Sequence, residues 1–334
     1  MNERRARTWL WVLAAACVLS LPASLLIGSV ALDPRAAFAA VFSPDAESLP
    51  SAIVALRLPR AVAALAVGGL LALSGGLLQA LLRNALADPY VLGISGGAAC
   101  ASMLAIAAGA GAFATHIAGV LGALATLAAL FLLARRALFG AEQRSGESGS
   151  SSLLLVGVMI ASFAAAAMSL ALSLAPAGRL RPMVFWLLGD LSGALDPRAA
   201  WISIAVLALC GWVALRDARA LNLMLRGDLQ AFTQGVHVER VRQRLVIVSS
   251  IATGWAVALA GAIGFVGFVA PHLARFAVGN DQRVALPASL FLGATLLAAA
   301  DVAARTVAAP AQLPVGVLTV MIGVPLFLWQ LRRQ

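Results

Sequence analysis

Ten apolar runs, separated by short polar segments, occupy most of this 334-residue chain. They cover residues 8–32, 54–82, 91–108, 114–134, 153–175, 199–215, 245–263, 265–278, 286–304 and 315–331. A helix that crosses a bilayer needs about 20 apolar residues, and most of these runs approach that length. The pattern predicts an all-α polytopic membrane protein with about ten transmembrane helices. It leaves no room for a second soluble domain, so we expect residues 1–334 to form a single transmembrane domain.

The composition narrows the functions that such a chain can have. Hydrophobic residues make up 62% of the sequence and charged residues only 11%, which is far from the composition of soluble domains. None of the 24 basic residues is a lysine, and this excludes both a P-loop and a lysine Schiff base. ATP hydrolysis on this chain is therefore excluded, and we expect it to bind no cofactor or metal.

The residues that usually carry enzymatic chemistry are also sparse. Cys17, Cys100 and Cys210 lie in apolar runs without a CxxC pattern. We therefore expect these cysteines to be small residues of the protein core rather than disulfides or metal ligands. His116 and His237 are isolated and are expected on the surface. No HExxH motif, paired carboxylates or Ser-His-Asp grouping is present in the sequence, which predicts a protein that is not an enzyme and has no catalytic residues.

The arginines predict the orientation in the membrane. With the N-terminus inside, seventeen of the 24 fall on the cytoplasmic side, and the outer seven are Arg35, Arg57, Arg60, Arg179, Arg181, Arg198 and Arg305. This bias follows the positive-inside rule, and an even number of helices places both termini in the cytoplasm. The arginines form no single patch, so nucleic acid is not an expected partner. A cleaved signal peptide is the alternative for the first run, but that run is long for one.

A weak internal similarity suggests a repeat. Residues 71–76 (LALSGG) resemble residues 257–262 (VALAGA), and each is followed by a proline-containing break and a short apolar run. The two copies cross the membrane in opposite directions. We therefore expect an inverted repeat of helices 2–5 and 7–10, a common transporter design.

A polar, arginine-rich segment at 217–244 lies on the predicted cytoplasmic side. Its leucines alternate with polar residues over two short helical pieces that break at Gly227 and Gly235. Two interpretations are open on composition alone. The segment is either a surface helix lying on the lipid headgroups or a docking site for a cytoplasmic partner.

Charged residues near the apolar runs are candidate functional groups. Asp301 and Arg305 have the spacing of a helical ion pair. Arg57 and Arg60 begin the second helix on the outer side, where arginine is disfavoured, so we expect either an anionic partner or anchoring to lipid phosphates. A helix break is predicted at Asn84, Asp88 and Pro89. A similar break is predicted at Pro271 and His272, and His272, close to Arg275, is expected to be a hydrogen-bonded structural residue rather than a metal ligand.

Two long motifs connect the chain with a known family. The first runs from Arg57-Leu-Pro-Arg60 through Asn84-Ala-Leu-Ala-Asp-Pro89 to Leu92-Gly-Ile-Ser-Gly-Gly-Ala98. The second runs from Ala260 through Gly-Phe-Val-Gly-Phe-Val-Ala-Pro-His272, Arg275, Asp301 and Arg305 to Gly323-Val-Pro-Leu-Phe327. In both halves the chain closely resembles the permeases of ABC importers for iron–siderophores, haem and cobalamin.

The resemblance implies a set of partners and a place in the cell. It implies a homodimer in the bacterial inner membrane, two cytoplasmic ATPase subunits that hold ATP and Mg, and a periplasmic substrate-binding protein. It also implies that Arg57, Arg60 and Arg305 meet acidic groups of the binding protein.

Further roles are implied at the two faces of the membrane. The residues that resemble the coupling segment are Leu221, Leu225, Gly227, Asp228, Ala231, Gly235 and Val236. Ser150, Ser151 and Ser152 fall where the family has its cytoplasmic gate. The stretch 180–192, with Phe185, Trp186 and Asp190, resembles the outer gating helix.

We therefore expect a permease subunit that moves a bulky metal chelate inward by alternating access. The first expectation is an iron chelate, either an iron–siderophore or haem, and cobalamin is the alternative within the family. A secondary transporter driven by an ion gradient is the alternative from another class, but the sequence has no charged pair at the middle of a run.

Overall fold

The computed structural model describes residues 3–42, 48–133, 148–192, 194 and 196–331. The helices are α1 (Glu3–Leu26), α2 (Pro34–Phe42), α3 (Leu49–Leu81), α4 (Ile94–Ala108), α5 (Ala112–Leu133), α6 (Ser148–Leu174), α7 (Ala177–Leu187), α8 (Pro197–Arg226), α9 (Asp228–Thr233), α10 (Val238–Ala260), α11 (Val266–Val278), α12 (Gln282–Thr306) and α13 (Val315–Leu331). A short 3₁₀ helix covers Pro89–Leu92. Within these ranges there is no β-strand, which confirms the all-α prediction.

Each of the ten predicted apolar runs overlaps one of these helices. Seven helices of the described part are long and apolar enough to cross a membrane, namely α1, α3, α5, α6, α8, α10 and α12. The helices α4, α11 and α13 are apolar but shorter. The polytopic architecture is thus confirmed, whereas a count of ten full crossings stays a prediction.

The core of the bundle forms around α3 and α10, the two most buried of the seven long helices. Small residues allow close approach of the backbones, because a methyl group added at Gly75 would collide with the carbonyl of Gly267 in α11. Polar side chains join the same helices: the Ser74 hydroxyl lies 2.7 Å from the hydroxyls of Ser249 and Thr253. In each half of the chain a buried helix is followed by a break and a short helix, as the predicted repeat requires.

Several helix ends differ from the predicted runs, and two of these differences affect candidate site residues. The second predicted helix begins at Leu49 rather than 54, because Ser48 caps its first turn and Pro50 follows at a position that suits proline. Arg57 and Arg60 therefore lie within α3 and do not begin it.

Helix α8 also extends beyond residue 215, where the sixth predicted run ends. It continues to Arg226 and stops at Gly227, whose φ of 141° does not suit a helix. Leu221 and Leu225 thus belong to the end of a 30-residue helix rather than to a separate short piece. The reason is that a polar surface does not end a helix when a continuous buried face still packs against its neighbours.

We name the two ends of the bundle after the arginine count. The inner end contains the N-terminus of α1, the C-terminus of α3 and helix α9. The outer end contains α2, α7 and the C-terminus of α12.

Candidate functional site

A buried charge cluster occupies the outer end of the bundle. Arg60 on α3 donates from Nε to Asp301 Oδ1 at 2.8 Å and from Nη1 to Gln312 Oε1 at 2.8 Å. Arg305, one turn after Asp301 on α12, lies 3.0 Å from the other carboxylate oxygen. Two guanidinium groups therefore share one buried carboxylate, and the cluster keeps a net positive charge.

Arg57 lies beside this cluster but has different partners. Its guanidinium donates to the carbonyls of Leu25 at 2.8 Å and Val30 at 2.6 Å. The last carbonyls of a helix have no partner within the helix, so Arg57 satisfies the C-terminal end of α1. This interaction fastens α1 to α3.

All three arginines that were predicted to dock a binding protein are buried, with Arg57, Arg60 and Arg305 exposed by 8%, 5% and 7%. Arg60 Nη2 and Arg305 Nη1 are buried without a hydrogen-bond partner. The cluster thus has donors that its present contacts do not use. Docking through these residues stays a prediction, because in this structure their contacts are internal.

The predicted outer gate is a short helix tied to its neighbours through backbone hydrogen bonds. Helix α7 carries Phe185 and Trp186 and ends before Gly189, which has a φ of 79°. The Asp190 N–H donates to the Ala260 carbonyl at 2.9 Å, and its carboxylate accepts from the Ser192 N–H at 2.9 Å. The gate segment is therefore connected directly to the outer end of α10.

A cavity of about 540 Å³ lies behind this helix. Its walls include Phe185, Trp186, Asp190 and His116. The prediction of a surface position for His116 is wrong: the ring is buried and lies edge-on to Trp255 at 4.9 Å. The sequence around His116 offers no charged partner for a buried ring, so a surface position was expected. The packing of α5 against α10 is what covers the ring.

At the inner end, Asp228 joins three helices. Its carboxylate lies 2.6 Å from a guanidinium nitrogen of Arg83, which follows α3, and 2.6 Å from one of Arg242 on α10. Arg83 also donates to the Met224 carbonyl at 2.6 Å and has a φ of 48°, which is rare for a residue with a side chain. We call Arg83, Asp228 and Arg242 the inner clasp.

The predicted coupling segment presents one apolar face and buries another. Leu229 and Phe232 on α9 are 78% and 67% exposed. Leu221 and Ala231 are fully buried. The helix ends where Val236 N–H donates to the Ala231 carbonyl at 3.0 Å, next to Gly235 with a φ of 83°. Leu225 is partly buried, and Asp217 and Arg244 at the ends of the segment form an ion pair of 2.7 Å.

A glutamine joins the first predicted helix break to α11. Gln79 donates to the carbonyls of Ala87 at 3.2 Å and Phe268 at 3.1 Å, and it accepts a hydrogen bond from Arg275. A methyl group at Gly267 would lie 2.6 Å from Pro89. The first break therefore packs against α11. The prediction of a second break at Pro271 and His272 is wrong, because both residues and Arg275 lie within the continuous helix α11, and the chain breaks before Val266 instead. Neighbouring helices can satisfy the backbone groups that a proline leaves free inside a membrane helix.

The other residues of the predicted breaks have local roles. Asn84 Oδ1 accepts from the Leu86 N–H at 2.9 Å, and Asp88 caps the 3₁₀ helix by accepting from the Tyr90 N–H at 2.8 Å. Burial raises the pKa of Asp88 to about 6, although that hydrogen bond lowers it. Pro271 is buried in α11, and His272 lies edge-on to Phe276 at 5.2 Å.

Two residues of the inner clasp were not predicted as site residues, and for one predicted set only the backbone position is described. Arg83 and Arg242 were counted only as cytoplasmic arginines, although an arginine directly after a buried helix is a usable signal. Ser150, Ser151 and Ser152 lie within the first five residues of α6, but their side chains fall outside the described residues.

These features define a polytopic membrane protein: a helical bundle with an exposed apolar helix at its inner end and, at its outer end, a short helix in front of a cavity. The FecCD transport family matches residues 15–333, and the chain belongs to this family.

Known proteins are similar to this chain over nearly its whole length. The vitamin B12 import system permease protein BtuC of Vibrio vulnificus is 38% identical over 345 residues, covering 99% of this chain and 96% of that protein. BtuC of Klebsiella pneumoniae is 36% identical over 336 residues, covering 100% and 96%. A solved structure of a metal-chelate type ABC transporter in an inward-facing conformation has a TM-score of 0.83 and 28% identity, covering 98% of this chain and 100% of that one.

The expectation from the two motifs is thereby confirmed. The chain is an ABC importer permease, a transport subunit rather than an enzyme, and a multi-pass protein of the inner membrane.

Proposed function

We propose that two copies of this chain form the membrane pathway of an importer for a bulky metal chelate. Two cytoplasmic ATPase subunits supply ATP and Mg, and a periplasmic binding protein delivers the cargo. The chain itself holds no cofactor in this scheme, and both termini lie in the cytoplasm. The observation that carries the proposal is the exposed apolar face of α9, held in place by the inner clasp.

The inner clasp gives α9 a mechanical connection to the core. Asp228, the first residue of α9, is bound to the end of α3 through Arg83 and to the start of α10 through Arg242. These are also the two most buried long helices. When an ATPase groove closes around Leu229 and Phe232, the displacement of α9 reaches both helices, and α10 passes it to the outer gate through Ala260 and Asp190.

At the outer end, the buried arginine cluster supports docking of a binding protein. Its unused donors and net positive charge favour an acidic partner. We propose that an acidic group of the docked protein takes up the free donors of Arg60 and Arg305 as the outer surface rearranges. Charge complementarity of this kind mainly sets specificity and the association rate.

The cargo belongs to the same proposal. The first expectation from sequence was an iron chelate, and the metal-chelate type of the structural neighbour is compatible with it. The names of the curated relatives favour the cobalamin alternative. We therefore propose cobalamin as the first ligand to test, followed by haem and a ferric siderophore.

The test uses proteoliposomes that contain this chain, its ATPase and its binding protein, loaded in turn with each ligand. One ligand is expected to stimulate both ATP hydrolysis and uptake. Uptake that follows an ion gradient without a co-purifying ATPase would support the secondary transporter instead.

The Phe232→Ala variant tests the role of α9. Removing an anchor side chain from a docking surface costs about 2 kcal/mol or more, so ATPase association should weaken by at least about tenfold. Phe38→Ala is the matched control, because Phe38 on α2 is an equally exposed phenylalanine at the outer end. Equal effects of both variants would rule out α9 as the ATPase contact.

A further inference from the structure

A second pocket opens at the inner end, between the C-terminal turns of α8 and the turn that joins α11 to α12. Its volume is about 700 Å³. Three arginines line it together with two asparagines, one aspartate and two leucines: Arg219, Arg226, Arg283, Asn222, Asn280, Asp281, Leu223 and Leu225.

The pocket carries excess positive charge. The side chains of Arg219, Arg226 and Arg283 are exposed, and within the described residues Arg219 and Arg226 form no ion pair. The only carboxylate in the lining, that of Asp281, lies 3.9 Å from Arg283 Nε. Three guanidinium groups face one carboxylate, so the pocket favours an anionic ligand.

Hydrogen bonds hold the floor of the pocket in place. Asn222 Nδ2 donates to Asp281 Oδ1 at 2.7 Å, and Asn222 Oδ1 accepts from the Gln282 N–H at 2.9 Å. Asp281 Oδ1 also accepts from the Arg283 N–H at 3.0 Å and caps α12. The end of α8 is therefore fixed to the start of α12, and a ligand meets arginines on a rigid frame.

The pocket lies at the depth of the lipid headgroups. After Arg283, helix α12 continues into Val284, Ala285 and Leu286, so its apolar part begins immediately. Ala285 and Ala6 of α1 belong to the same buried cluster, which places the pocket level with the N-terminal arginines of that helix.

Residues of α8 place the pocket at the same depth in the membrane. The exposed Trp212 lies two turns before Arg219, and the guanidinium of Arg216 sits 5.9 Å from the centre of its ring. Tryptophan with a neighbouring arginine is typical of the membrane–water interface. The pocket therefore begins within the headgroup layer of the inner leaflet.

We propose that this pocket binds the headgroup phosphate of an anionic phospholipid, phosphatidylglycerol or cardiolipin. Guanidinium groups bind phosphate oxygens in a bidentate manner, and basic pockets between helices on the cytoplasmic side bind such headgroups. Leu223 and Leu225 provide an apolar wall for the glycerol and the first part of the acyl chains. The bound lipid would steady the last turns of α8, directly before that helix ends at Gly227 and α9 begins. This site does not depend on the identity of the cargo.

The experiment is native mass spectrometry of the full chain in detergent, titrated with phosphatidylglycerol, cardiolipin or phosphatidylethanolamine. Each arginine near the surface contributes attraction equivalent to about a fivefold change in affinity. Arg219→Gln should therefore weaken anionic lipid binding about fivefold. The triple variant Arg219→Gln, Arg226→Gln, Arg283→Gln should weaken it on the order of a hundredfold and abolish the preference over phosphatidylethanolamine.

The control is a triple variant of three other exposed arginines at the inner end: Arg4→Gln, Arg5→Gln and Arg240→Gln. Equal losses in both triple variants would mean general attraction to the membrane and would overturn the pocket. Displacement of the lipid by millimolar inorganic phosphate would assign the site to free phosphate. If the pocket variant binds lipid normally but loses the ATPase, the pocket is a protein contact. If the triple variant does not fold, Arg219→Gln alone decides the question.

Discussion

At the outer end, Asp301 balances two arginines that belong to different helices. Arg60 and Arg305 bind opposite oxygens of its carboxylate, and all three side chains are almost fully buried. A buried charge pair contributes little compared with apolar residues of the same size, but removing one partner leaves the other charge buried and uncompensated. The importance of Asp301 therefore follows from its surroundings rather than from the strength of either ion pair.

We expect Asp301→Asn to lower the free energy of unfolding by about 3–5 kcal/mol, because two guanidinium groups lose their counter-charge. The measurement is chemical denaturation of the purified chain in detergent. Glu239→Gln, which neutralises an exposed carboxylate at the start of α10, should change stability by less than about 0.5 kcal/mol. Wild-type stability in Asp301→Asn would contradict the described cluster.

Because the pKa of Asp88 is raised in the folded protein, we predict that the stability of the chain depends on pH. Burial raises this pKa to about 6 in the folded protein, compared with an ordinary value of 3.8. The folded state thus binds this proton more tightly than the unfolded state. The associated stability is fully present below about pH 4 and is lost as the pH rises through about 6.

Asp88→Asn removes this titration and keeps an oxygen that accepts from the Tyr90 N–H. We expect the variant to match the wild type near about pH 4 and to be more stable by roughly 1–3 kcal/mol near about pH 7.5. Unfolding midpoints recorded across this range test the prediction. A stability difference that does not change with pH would refute it.

At the scale of helices, glycine determines how closely α3 and α12 approach each other. A methyl group added at Gly293 would collide with the side chain of Ala72 and with the carbonyl of Gly68. In lipid there is little hydrophobic drive between helices, so close backbone packing supplies much of the attraction. The Ala- and Gly-rich composition indicated such packing, but not which pairs of residues touch.

The variant Gly293→Ala should destabilise the chain by about 1–3 kcal/mol, because α3 and α12 must move apart. Gly178→Ala is the control: it lies in α7 with no atom within 4 Å of the added methyl group. The control should be neutral or slightly stabilising, since alanine favours helix more than glycine. Thermal unfolding of both variants in the same detergent makes the comparison, and similar melting temperatures would argue against a tight contact.

The inner clasp connects elements that differ in burial. Asp228 is partly exposed, so its two ion pairs contribute at most about 1 kcal/mol each to stability. Asp228→Asn should therefore fold normally but transmit motion poorly, with uptake per ATP hydrolysed reduced on the order of fivefold. Uptake and hydrolysis measured together in proteoliposomes test this, with Glu239→Gln as the control. A proportional loss of both activities would indicate weakened ATPase docking instead.

At the scale of the whole molecule, α13 is incompletely covered. It has 17 residues, which at 1.5 Å per residue gives about 26 Å, shorter than the hydrocarbon core of about 30 Å. Its apolar side chains Met321, Ile322 and Leu328 are exposed, and it packs mainly against α11 and α12. A short helix with one open face is better covered by a second protein surface than by lipid.

We therefore expect α13 to face the second copy in the proposed homodimer. In a variant without native cysteines, Met321→Cys should cross-link to a dimer in native membranes. The control Leu19→Cys, on the similarly exposed face of the longer helix α1, should stay monomeric on a denaturing gel. Dimer formation by the control alone would place the interface at α1.

Much of the fold follows from local patterns in the sequence. Run length and polarity predict the helices α1, α3, α5, α6, α10 and α12, because a helix in lipid satisfies its own backbone and needs only enough apolar residues. The breaks at Gly227 and Gly235 were also predicted, and the structure ends α8 at the first and α9 shortly before the second. The coupling role of this segment stays a prediction. The start of α3 and the end of α8 could not be predicted from composition. Capping by Ser48 sets the first, and packing that continues to Arg226 sets the second.

The sequence by itself thus determined the all-helical membrane architecture and the motifs of the FecCD family. Both depend on residues that lie close to one another in the chain. Only the tertiary structure decided the direction and partners of the charged groups. Arg57, Arg60 and Arg305 turn inward, and Asp228 meets Arg83 from 145 positions away. The physical reason is that the cost of a buried charge depends on which distant groups surround it, and that is set by the packing of helices.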